Sequence, residues 1–402
     1  MANEVDIKEN ELLAAHPKVF KQLLYDHSTR KNIFWATDSY VYLNEGYTFH
    51  DEITIDKITG DKGNVIRPRA IKSRDEQNRR VKDMAEVFTP SSICKKMNDA
   101  VFVPDILTTY LEITCGEAPF LVSRYDTVTG EPIPIGKRIG ILDRKLQIVN
   151  RQATDEEYTH EALLALGSVY GYEWQGDNLF LAREAVLTTF AEYYQQRCSK
   201  EPDEALLLKA AKIVSWNLWQ MDGLKAVVPD TCHETTSSSL DLFAGEQSSS
   251  SPCPGCAKDD ILLHNGIRCR LRRWLPSDNS KSPYGIDSFE FSFLDIINKK
   301  SKNHNKTKYT MNFDYIIGNP PYQDETIGDN KGFAPPVYDK FIDGAYQIGD
   351  KVELIHPARF LFNAGSTPKQ WNKKMLNDPY LKVLSYEPDA SKIFPNTDIR
   401  GG

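Results

Sequence analysis

The protein has 402 residues, of which 40% are hydrophobic, and its 49 basic and 56 acidic side chains give a net charge of −7. That length allows one large α/β domain with insertions or two domains, and the acidic balance excludes a general attraction of the whole surface to nucleic acid. No apolar run reaches the ~18 residues of a membrane span. The acidic beginning of the chain excludes a secretory signal, so we expect a cytoplasmic protein.

The first 84 residues are predicted to form a small N-terminal subdomain, for which the pattern indicates no specific role. Apolar spacing predicts a helix from Glu11 to Tyr25, and the segment Tyr40-Val41-Tyr42-Leu43 predicts a strand. Basic clusters follow here and near residues 268–273 and 299–308, and such clusters usually form a solvated surface, with phosphate contact as the functional alternative. The first cluster consists of Arg67, Arg69, Lys72, Arg74, Arg79, Arg80 and Lys82.

From residue 85 the sequence alternates between strand and helix patterns, which predicts an α/β domain with a parallel sheet over residues 85–402. The predicted strands lie at residues 111–113, 168–171, 291–296, 313–318 and 352–356, and a long helix is predicted over residues 178–196. Two insertions, at about 122–165 and 226–285, interrupt this core. The second contains a Ser-rich stretch, residues 235–251, which we expect to be a disordered loop.

Two turns near the start of this domain suit the binding of a nucleotide-like cofactor. Thr89 and Pro90 are predicted as the N-cap and first residue of a helix, whose free N–H groups can meet a carboxylate. Glu112 and Gly116 belong to a strand and to the small-residue turn after it, where the backbone can approach a ligand closely. Each of these turns alone is weak evidence for a cofactor site, and the order in which they follow one another along the chain strengthens that interpretation.

Acidic residues end two later predicted strands. Glu173 follows the strand at 168–171, where a carboxylate suits the two hydroxyls of a ribose. Asp295 follows the apolar residues from Phe291, where an acid can accept a hydrogen bond from an adenine amino group. Acids often end strands, so their placement before residue 319 is what favours a cofactor site.

The most specific segment is Asn319-Pro320-Pro321-Tyr322, at the end of the predicted strand 313–318. An exocyclic ring amine is a poor nucleophile because its lone pair is delocalised into the ring. The Asn319 side-chain oxygen and the Pro320 carbonyl can accept its two N–H bonds, and the two prolines stiffen the loop. Tyr322 offers a flat face on which a base can stack. The alternative is a strand followed by an ordinary Pro-Pro turn.

In this order, the motifs resemble those of adenine-specific DNA methyltransferases of restriction–modification systems, the group of TaqI-like and Eco57I-like methylases. The resemblance covers roughly residues 85–400. It implies a doubly wound, mostly parallel, seven-stranded Rossmann-like sheet with a cysteine-rich insertion. It also implies methyl transfer from S-adenosylmethionine to the N6 amine of an adenine flipped out of double-stranded DNA. A restriction or specificity subunit is the implied protein partner.

The resemblance also implies a role for each matching residue. The methionine end of the cofactor would be held by Phe88, Thr89 and Pro90. Glu112, Thr114 and Gly116 would line the cofactor loop, while Glu173 would bind the ribose and Asp295 the adenine. The acceptor base would be bound by Asn319, Pro320, Pro321 and Tyr322, and a second stacking aromatic would be Phe394.

Three positions depart from the pattern of these enzymes. Ile113 stands where a Pro is usual, and Ala118, where a Gly is common, is expected to narrow the space for the cofactor slightly. The sequence ends at Arg400-Gly401-Gly402, where a closing hairpin and a DNA-recognition domain are expected to follow. We therefore expect weak or absent sequence-specific methylation by this chain alone.

Two other functions remain open, and a third is disfavoured. Asn-Pro-Pro-Tyr also serves methylation of glutamine amides in proteins, although Phe394 favours a nucleic acid. A catalytically weak DNA-binding or assembly subunit would keep the fold without turnover. A fused endonuclease is disfavoured because residues 1–84 show no cluster of two acids and a Lys in a strand context.

A cysteine motif in the second insertion predicts a zinc site. Cys253-Pro254-Gly255-Cys256 is a CxxC, with Cys232 upstream and Cys269 downstream. Two thiolates on a tight turn and two from neighbouring segments suit a tetrahedral structural zinc. His233 and His264 are substitutes for one ligand, and reduced free thiols or a redox pair remain alternatives. The seven cysteines of the chain argue against a disulfide framework.

Overall fold

The computed structural model describes residues 9–77, 80, 87–241, 245–279, 282–298, 311–323 and 334–394; for residues 237–241 and 245–249 the description is of the backbone. Arg79 and Lys82 of the first basic cluster, the basic cluster at 299–308 and the chain end after Phe394 therefore lie outside the described residues. None of the described helices is long and apolar enough to cross a membrane.

Helices and strands alternate along most of the described chain. The α-helices cover α1 (Glu9–Ala15), α2 (Pro17–Leu24), α3 (Ile55–Ile58), α4 (Ser91–Val101), α5 (Ile141–Val149), α6 (Asp155–Gly167), α7 (Gly176–Cys198), α8 (Glu204–Asn217), α9 (Pro254–Lys258), α10 (Phe293–Ile297), α11 (Tyr338–Ile348) and α12 (Lys369–Leu376). The strands cover β1 (Tyr25–Asp26), β2 (Lys31–Asn32), β3 (Tyr110–Ile113), β4 (Val169–Glu173), β5 (Leu218–Gln220), β6 (Thr235–Asp241), β7 (Gly245–Ser251), β8 (Arg270–Pro276), β9 (Ile286–Ser292), β10 (Phe313–Gly318) and β11 (Gly349–Leu354). Short 3-10 helices cover Val41–Leu43, Gly60–Lys62, Arg69–Ile71, Ile135–Lys137, Ile261–Leu263, Pro283–Gly285, Ala358–Phe362 and Ala390–Lys392.

A parallel sheet of five strands forms the centre of the molecule, in the order β11-β10-β3-β4-β5. Every residue of β3, β4 and β5 is buried, as expected for parallel strands covered by helices on both faces. The strand order reverses between β3 and β10, because the chain runs outward to β5 and then returns to the other side of β3. This arrangement confirms the predicted mixed α/β fold with a parallel sheet, to which the described residues contribute five strands rather than seven.

The crossover helices begin at clear capping residues. At the start of α6, the Thr154 hydroxyl accepts a hydrogen bond from the Glu157 amide, and the Glu157 carboxylate accepts one from the Thr154 amide. At the start of α8, the Asp203 side chain accepts from the Leu206 amide at 2.8 Å. Helices α5 and α6 belong to the crossover from β3 to β4, and α7 and α8 belong to the crossover from β4 to β5. The segment predicted as the first insertion, residues 122–165, thus contains α5 and most of α6.

The N-terminal segment shares its hydrophobic core with the sheet domain. Phe20 packs edge-to-face on Phe180 of α7, with ring centroids 5.6 Å apart, and both rings are fully buried in one core cluster that also contains Trp35. The Trp35 carbonyl accepts from the Gly176 amide at 2.9 Å, and the amide of Phe34 donates to the Gln220 side chain. Residues before position 84 are thus packed directly on α7 and β5.

The structure differs from the sequence prediction in several elements. The predicted strand 291–296 is wrong: residues up to Ser292 pair in the antiparallel hairpin β8–β9, and α10 follows at once. The predicted strand at Tyr40–Leu43 is a 3-10 helix, and the helix predicted from Glu11 is divided in two at Pro17, which begins α2. The Ser-rich stretch forms the antiparallel hairpin β6–β7 rather than an irregular loop.

Two residues of the first basic cluster are buried and not available to phosphate. Arg80 lies 2.9 Å from the Asp177 carboxylate and Lys72 lies 4.0 Å from it, and all three side chains are almost completely inaccessible. The Tyr40 hydroxyl donates to the same carboxylate at 2.7 Å. Arg80, Lys72, Asp177 and Tyr40 form a buried ion cluster that holds the N-terminal segment against the beginning of α7. We therefore interpret the buried ion cluster as structural.

Candidate functional site

A cleft opens at the carboxyl end of the sheet, beside the reversal of strand order between β3 and β10. It is lined by Val87, Phe88, Thr89, Glu112, Thr114, Cys115, Gly116, Pro119, Phe120, Glu173, Gln175, Asn178, Asn319 and Pro321. Small-molecule sites occur at this position in doubly wound sheets. Most residues predicted to bind cofactor or acceptor thus border one cavity, although they come from four separate stretches of the chain.

Asn319 is held in a defined orientation at the end of β10. Its amide nitrogen donates to the Val87 carbonyl and to the Thr89 hydroxyl, both at 3.2 Å. Its side-chain oxygen accepts from the Tyr322 hydroxyl at 2.7 Å. Because both amide hydrogens are used by Val87 and Thr89, the oxygen is the atom that Asn319 can offer to another donor.

The Tyr322 hydroxyl therefore hydrogen-bonds to Asn319, whereas the sequence predicted only that the Tyr322 ring stacks on the acceptor base. Burial raises the pKa of the Tyr322 hydroxyl, so it remains a protonated donor to Asn319. Pro320 is buried and Pro321 lines the cleft. Phe394 is also buried, with 5% exposure, but it is not among the residues that line the cleft. Its stacking role stays a prediction.

The beginning of α4 is occupied by a carboxylate of the protein itself. The helix starts at Ser91 with Pro90 as its N-cap, one residue later than predicted. The Ser91 amide donates to Asp126 at 3.2 Å, and the neighbouring Thr127 hydroxyl donates to the Thr89 carbonyl at 2.9 Å. Burial would raise the pKa of Asp126, but the N–H groups of Thr129 and Ser91 outweigh it and hold that pKa below its usual value.

The turn after β3 has an unusual backbone that faces the cleft. Thr114, Gly116 and Ala118 all have positive φ, at 46°, 53° and 59°. A Cβ at Gly116 would point toward the Phe88 ring, 3.8 Å from its nearest atom. Ala118 is fully buried outside the cleft lining. The expectation that Ala118 narrows the cofactor space is therefore wrong, and its cost lies in the left-handed backbone.

Two carboxylates, those of Glu112 and Glu173, accept hydrogen bonds from backbone amides of this turn. Glu112 is buried under it and accepts from the Phe120 and Leu121 amides, at 3.4 and 3.1 Å. Burial raises the pKa of Glu112 well above its usual value, and the nearby Glu173 carboxylate raises it further. Glu173, at the end of β4, accepts from the Gly116 amide at 2.8 Å and from the Gln175 amide at 3.1 Å.

The buried ion cluster reaches the wall of the cleft through Arg80. One of its nitrogens donates to the Gln175 side chain at 2.9 Å and lies 3.4 Å from the Asn178 oxygen. Gln175 and Asn178 both line the cleft, and both were missed from the sequence. Gln175 lies in the turn between β4 and α7 and Asn178 in the first turn of α7, and their position shortly after Glu173 is the signal that could have indicated them.

Asp295 does not reach the cleft. It lies on the exposed side of the short helix α10, which follows an antiparallel hairpin rather than a strand of the central sheet. The acid at the corresponding edge is Asp222, which follows β5, the strand that pairs with β4. Asp222 is buried, and its carboxylate accepts from the Leu224 amide at 2.9 Å and pairs with Lys225 at 3.3 Å. Burial raises the pKa of Asp222, opposed by Lys225.

Four side chains that can bind a metal converge in the second insertion. Cys232, Cys253, Cys256 and His264 place their ligand atoms within 4.8 Å of one another. Cys269 was predicted as a ligand, and this part of the prediction is wrong. Its side chain is fully buried in the core, with the sulfur 3.4 Å from the Gln220 carbonyl. His264, named from the sequence as a substitute, takes the fourth position.

Comparisons with known proteins identify relatives of this chain. Residues 267–394, about a third of the sequence, match the model of the Eco57I restriction-modification methylase family. The chain is 27% identical over 119 residues to an "uncharacterized adenine-specific methylase" of Mycoplasma pneumoniae (strain ATCC 29342 / M129 / Subtype 1), in an alignment that covers 29% of this chain and 28% of that protein. No solved structure matches. Both matches confirm the resemblance to adenine methylases of restriction–modification systems.

Proposed function

We propose that this chain, related to Eco57I-type methylases over residues 267–394, transfers a methyl group from S-adenosylmethionine to the N6 amine of adenine in double-stranded DNA. The observation that carries the proposal is that Asn319 borders the same cleft as Phe88, Gly116 and Glu173. An acceptor amine bound by Asn319 would therefore lie next to a cofactor bound at the turn after β3. In a restriction–modification system the protein would be the modification component, would act on DNA in the cytoplasm and would work with a restriction or specificity subunit.

The residues of the cleft fit S-adenosylmethionine. The Gly116 backbone and the Phe88 ring leave between them a gap that a single methyl group at Gly116 would enter. Glu173 places a carboxylate where ribose hydroxyls can donate to it, and the turn between β3 and α5 brings peptide groups close to the ligand. When bound, this cofactor supplies a methyl group attached to a positively charged sulfonium sulfur, and that sulfur is an excellent leaving group when the methyl group is transferred. Asp222, which is also outside the cleft lining, replaces Asp295 as the candidate for the adenine amino group because it follows β5 of the central sheet.

On the acceptor side of the cleft, two oxygen atoms are proposed to accept hydrogen bonds from the target amine. The Asn319 oxygen and the Pro320 carbonyl would accept the two N–H bonds of the target amine and draw its lone pair out of conjugation. In the structure the Tyr322 hydroxyl donates to the Asn319 oxygen at 2.7 Å, so the arriving amine must displace or share this bond. The proton leaves the amine after the methyl group arrives, and no side chain with a shifted pKa is required as a base.

Transfer of a labelled methyl group to unmethylated DNA tests the proposal. We expect label in N6-methyladenine with the parent chain, and a loss of at least about a hundredfold with Asn319→Ala, because the acceptor interaction exists to stabilise the reacting amine. Asn377→Ala is the matched control, since Asn377 is exposed on α12 and only caps its end. Cofactor binding should persist in Asn319→Ala. Label in another base, or unchanged transfer in Asn319→Ala, would contradict the proposal.

Cofactor binding is tested separately by Gly116→Ala. The new methyl group would enter the gap facing Phe88, and the left-handed backbone at φ 53° would cost about 1–2 kcal/mol. We expect the affinity for S-adenosylmethionine to fall at least about tenfold. Gly136→Ala is the control, because nothing lies within 4 Å of its Cβ position and its φ is not positive. Equal affinities of the two variants would contradict this placement of the cofactor.

Two other functions are separated by the same measurements. Binding of S-adenosylmethionine with label in a glutamine-containing peptide, and none in DNA, would indicate a glutamine-amide methyltransferase. DNA binding without transfer to either acceptor would indicate an assembly subunit. The described basic residues after position 268 give the second reading little support, because Arg270 and Arg272 both pair with Glu290, and Arg272 also stacks on Trp216.

A further inference from the structure

The cysteine-rich insertion brings four ligand atoms around one small space. The Nδ1 atom of His264 lies 3.5 Å from the sulfur of Cys232 and 3.7 Å from the sulfurs of Cys253 and Cys256. The four ligand atoms are mutually within 4.8 Å. Three separate stretches of chain therefore converge, because Cys232 precedes the hairpin β6–β7, the CxxC follows it, and His264 comes after α9.

These separations match a metal-centred tetrahedron. Zn–S bonds of ~2.3 Å and Zn–N bonds of ~2.0–2.1 Å at tetrahedral angles give S···N separations of about 3.6 Å. Hydrogen bonds alone do not explain the arrangement. An imidazole nitrogen has either one hydrogen or one lone pair in the ring plane, so it can form one good bond rather than three. Three sulfurs at nearly equal distance from Nδ1 therefore indicate a shared ion.

The local backbone also favours thiolate ligands. Cys253 is the N-cap of α9, with Pro254 at the first helical position, and its sulfur accepts from the Asn265 amide at 3.3 Å. A Cβ at Gly255 would lie 2.5 Å from the His264 ring and backbone, so the glycine allows the histidine to approach the CxxC turn. Amide donors to sulfur stabilise the deprotonated thiol that a metal requires.

We propose that Cys232, Cys253, Cys256 and His264 bind one Zn2+ as a closed structural site. Three thiolates and an imidazole are soft ligands that suit zinc, whereas magnesium and calcium require oxygen. With four protein ligands no position remains for water or substrate, so the ion has no catalytic part. Coordination releases the three thiol protons and leaves the centre with one negative charge.

The ion would fix the loop that carries Asp222. The Asp222 amide donates to the Val227 carbonyl, and the Val228 amide donates to the Ile267 carbonyl, both at 2.8 Å. Thr231, next to the first ligand, accepts from the Ile267 amide at 2.9 Å. The zinc would thus join residues 222–232 to residues 253–268 and close the base of the hairpin β6–β7, whose first pair is Thr235 with Ser251.

Metal analysis of the reduced full-length chain, purified without chelator, tests this site. We expect one zinc per chain, and Co2+ in its place should give the intense visible bands of a tetrahedral thiolate site. His264→Ala should lose the ion, while Cys269→Ala should keep it. His264→Cys should keep the ion with a changed cobalt spectrum. This rescue separates lost coordination from general misfolding.

A stability measurement gives a second readout that does not depend on activity. Chelation should lower the thermal midpoint of the protein, and Zn2+ but not Mg2+ should restore it, because the ion binds the folded state. The proposal is overturned if the reduced chain holds no zinc and takes up no tetrahedral cobalt. It is equally overturned if Cys269→Ala loses the ion while His264→Ala retains it.

Discussion

Thr89 connects the two halves of the candidate site at the level of single residues. The sequence predicted that it binds the methionine end of the cofactor, together with Phe88 and Pro90. In the structure its hydroxyl accepts from the Asn319 amide, although the two residues are 230 positions apart. The sequence predicted both residues but not their contact, because the contact depends on the packing of α4, through Cys94 and Met97, with Ile317 of β10.

Removing the Thr89 hydroxyl should slow methyl transfer without weakening cofactor binding. Thr89→Val keeps the shape but leaves one Asn319 hydrogen without its acceptor, which costs about 1–1.5 kcal/mol, or roughly a tenfold fall in kcat. Thr89→Ser keeps the hydroxyl and should recover most of the rate. Steady-state kinetics with both variants measure this, and a change in KM for the cofactor with kcat unaltered would show that Thr89 acts on the cofactor instead.

At the scale of elements, the sequence predicted the strands and helices whose patterns are long or have clear boundaries. The strand at 313–318 and the helix at 178–196 correspond to β10 and α7. It missed β5, because these three residues directly follow α8 without a glycine, a proline or a change in hydrophobicity. Without β5, the next apolar segment of the sequence that ends in an acid is the one before Asp295, and the sequence therefore predicts Asp295 rather than Asp222.

The misassigned metal ligand has a different physical cause. Spacing shows which cysteines are near one another in sequence, but the direction of a side chain depends on tertiary packing. Cys269 lies within the predicted insertion, yet it is buried in the same core cluster as Leu271 and Phe293. His264 is placed at the CxxC turn by a close approach to Gly255, which no periodicity in the sequence indicates.

The buried ion cluster at the start of α7 should make a large contribution to stability. Asp177→Asn would leave Arg80 and Lys72 buried without a countercharge, which typically costs about 3–5 kcal/mol. Denaturant unfolding at neutral pH measures the loss. Asp61→Asn, at an exposed position, is the control and should change the unfolding free energy little.

The difference in unfolding free energy between the parent and Asp177→Asn should depend on pH in a defined direction. Burial would raise the pKa of Asp177, but Arg80 and Lys72 outweigh it and hold the pKa below 3.8. An acid of this kind stabilises the fold above its unfolded pKa, and the contribution is lost as the pH falls through the lower folded value. We therefore expect the advantage of the parent over Asp177→Asn to shrink below about pH 3.8. A constant difference down to lower pH would contradict this origin.

At the scale of the whole molecule, the N-terminal segment and the sheet behave as one packed body around a shared core. Val19, Phe20, Leu23 and Trp35 are fully buried in the same cluster as Leu179, Phe180 and Leu218. The segment predicted as a separate subdomain thus supplies part of the covering of α7 and α8. Its removal would expose those helices to water.

Phe20→Ala tests whether this shared core unfolds cooperatively. The loss of a fully buried aromatic ring should cost about 3–5 kcal/mol, and we expect cofactor binding and far-ultraviolet circular dichroism to be lost in one transition at a lower denaturant concentration. Val41→Ala, at a side chain that is 48% exposed, is the control and should be close to the parent. Separate transitions, with cofactor binding unchanged in Phe20→Ala, would show that the two parts fold independently.

The shared core also bears on how genes for such proteins can exchange parts. A recombination event near position 85 would join an N-terminal segment from one lineage to a sheet domain from another, and the two sides would meet at Phe20, Trp35, Arg80 and Asp177. A mismatch there would leave a cavity or an unpaired buried charge. We therefore expect viable chimaeras to inherit these four positions together, so that the first part of the gene is transmitted with the sheet domain rather than shuffled as a module.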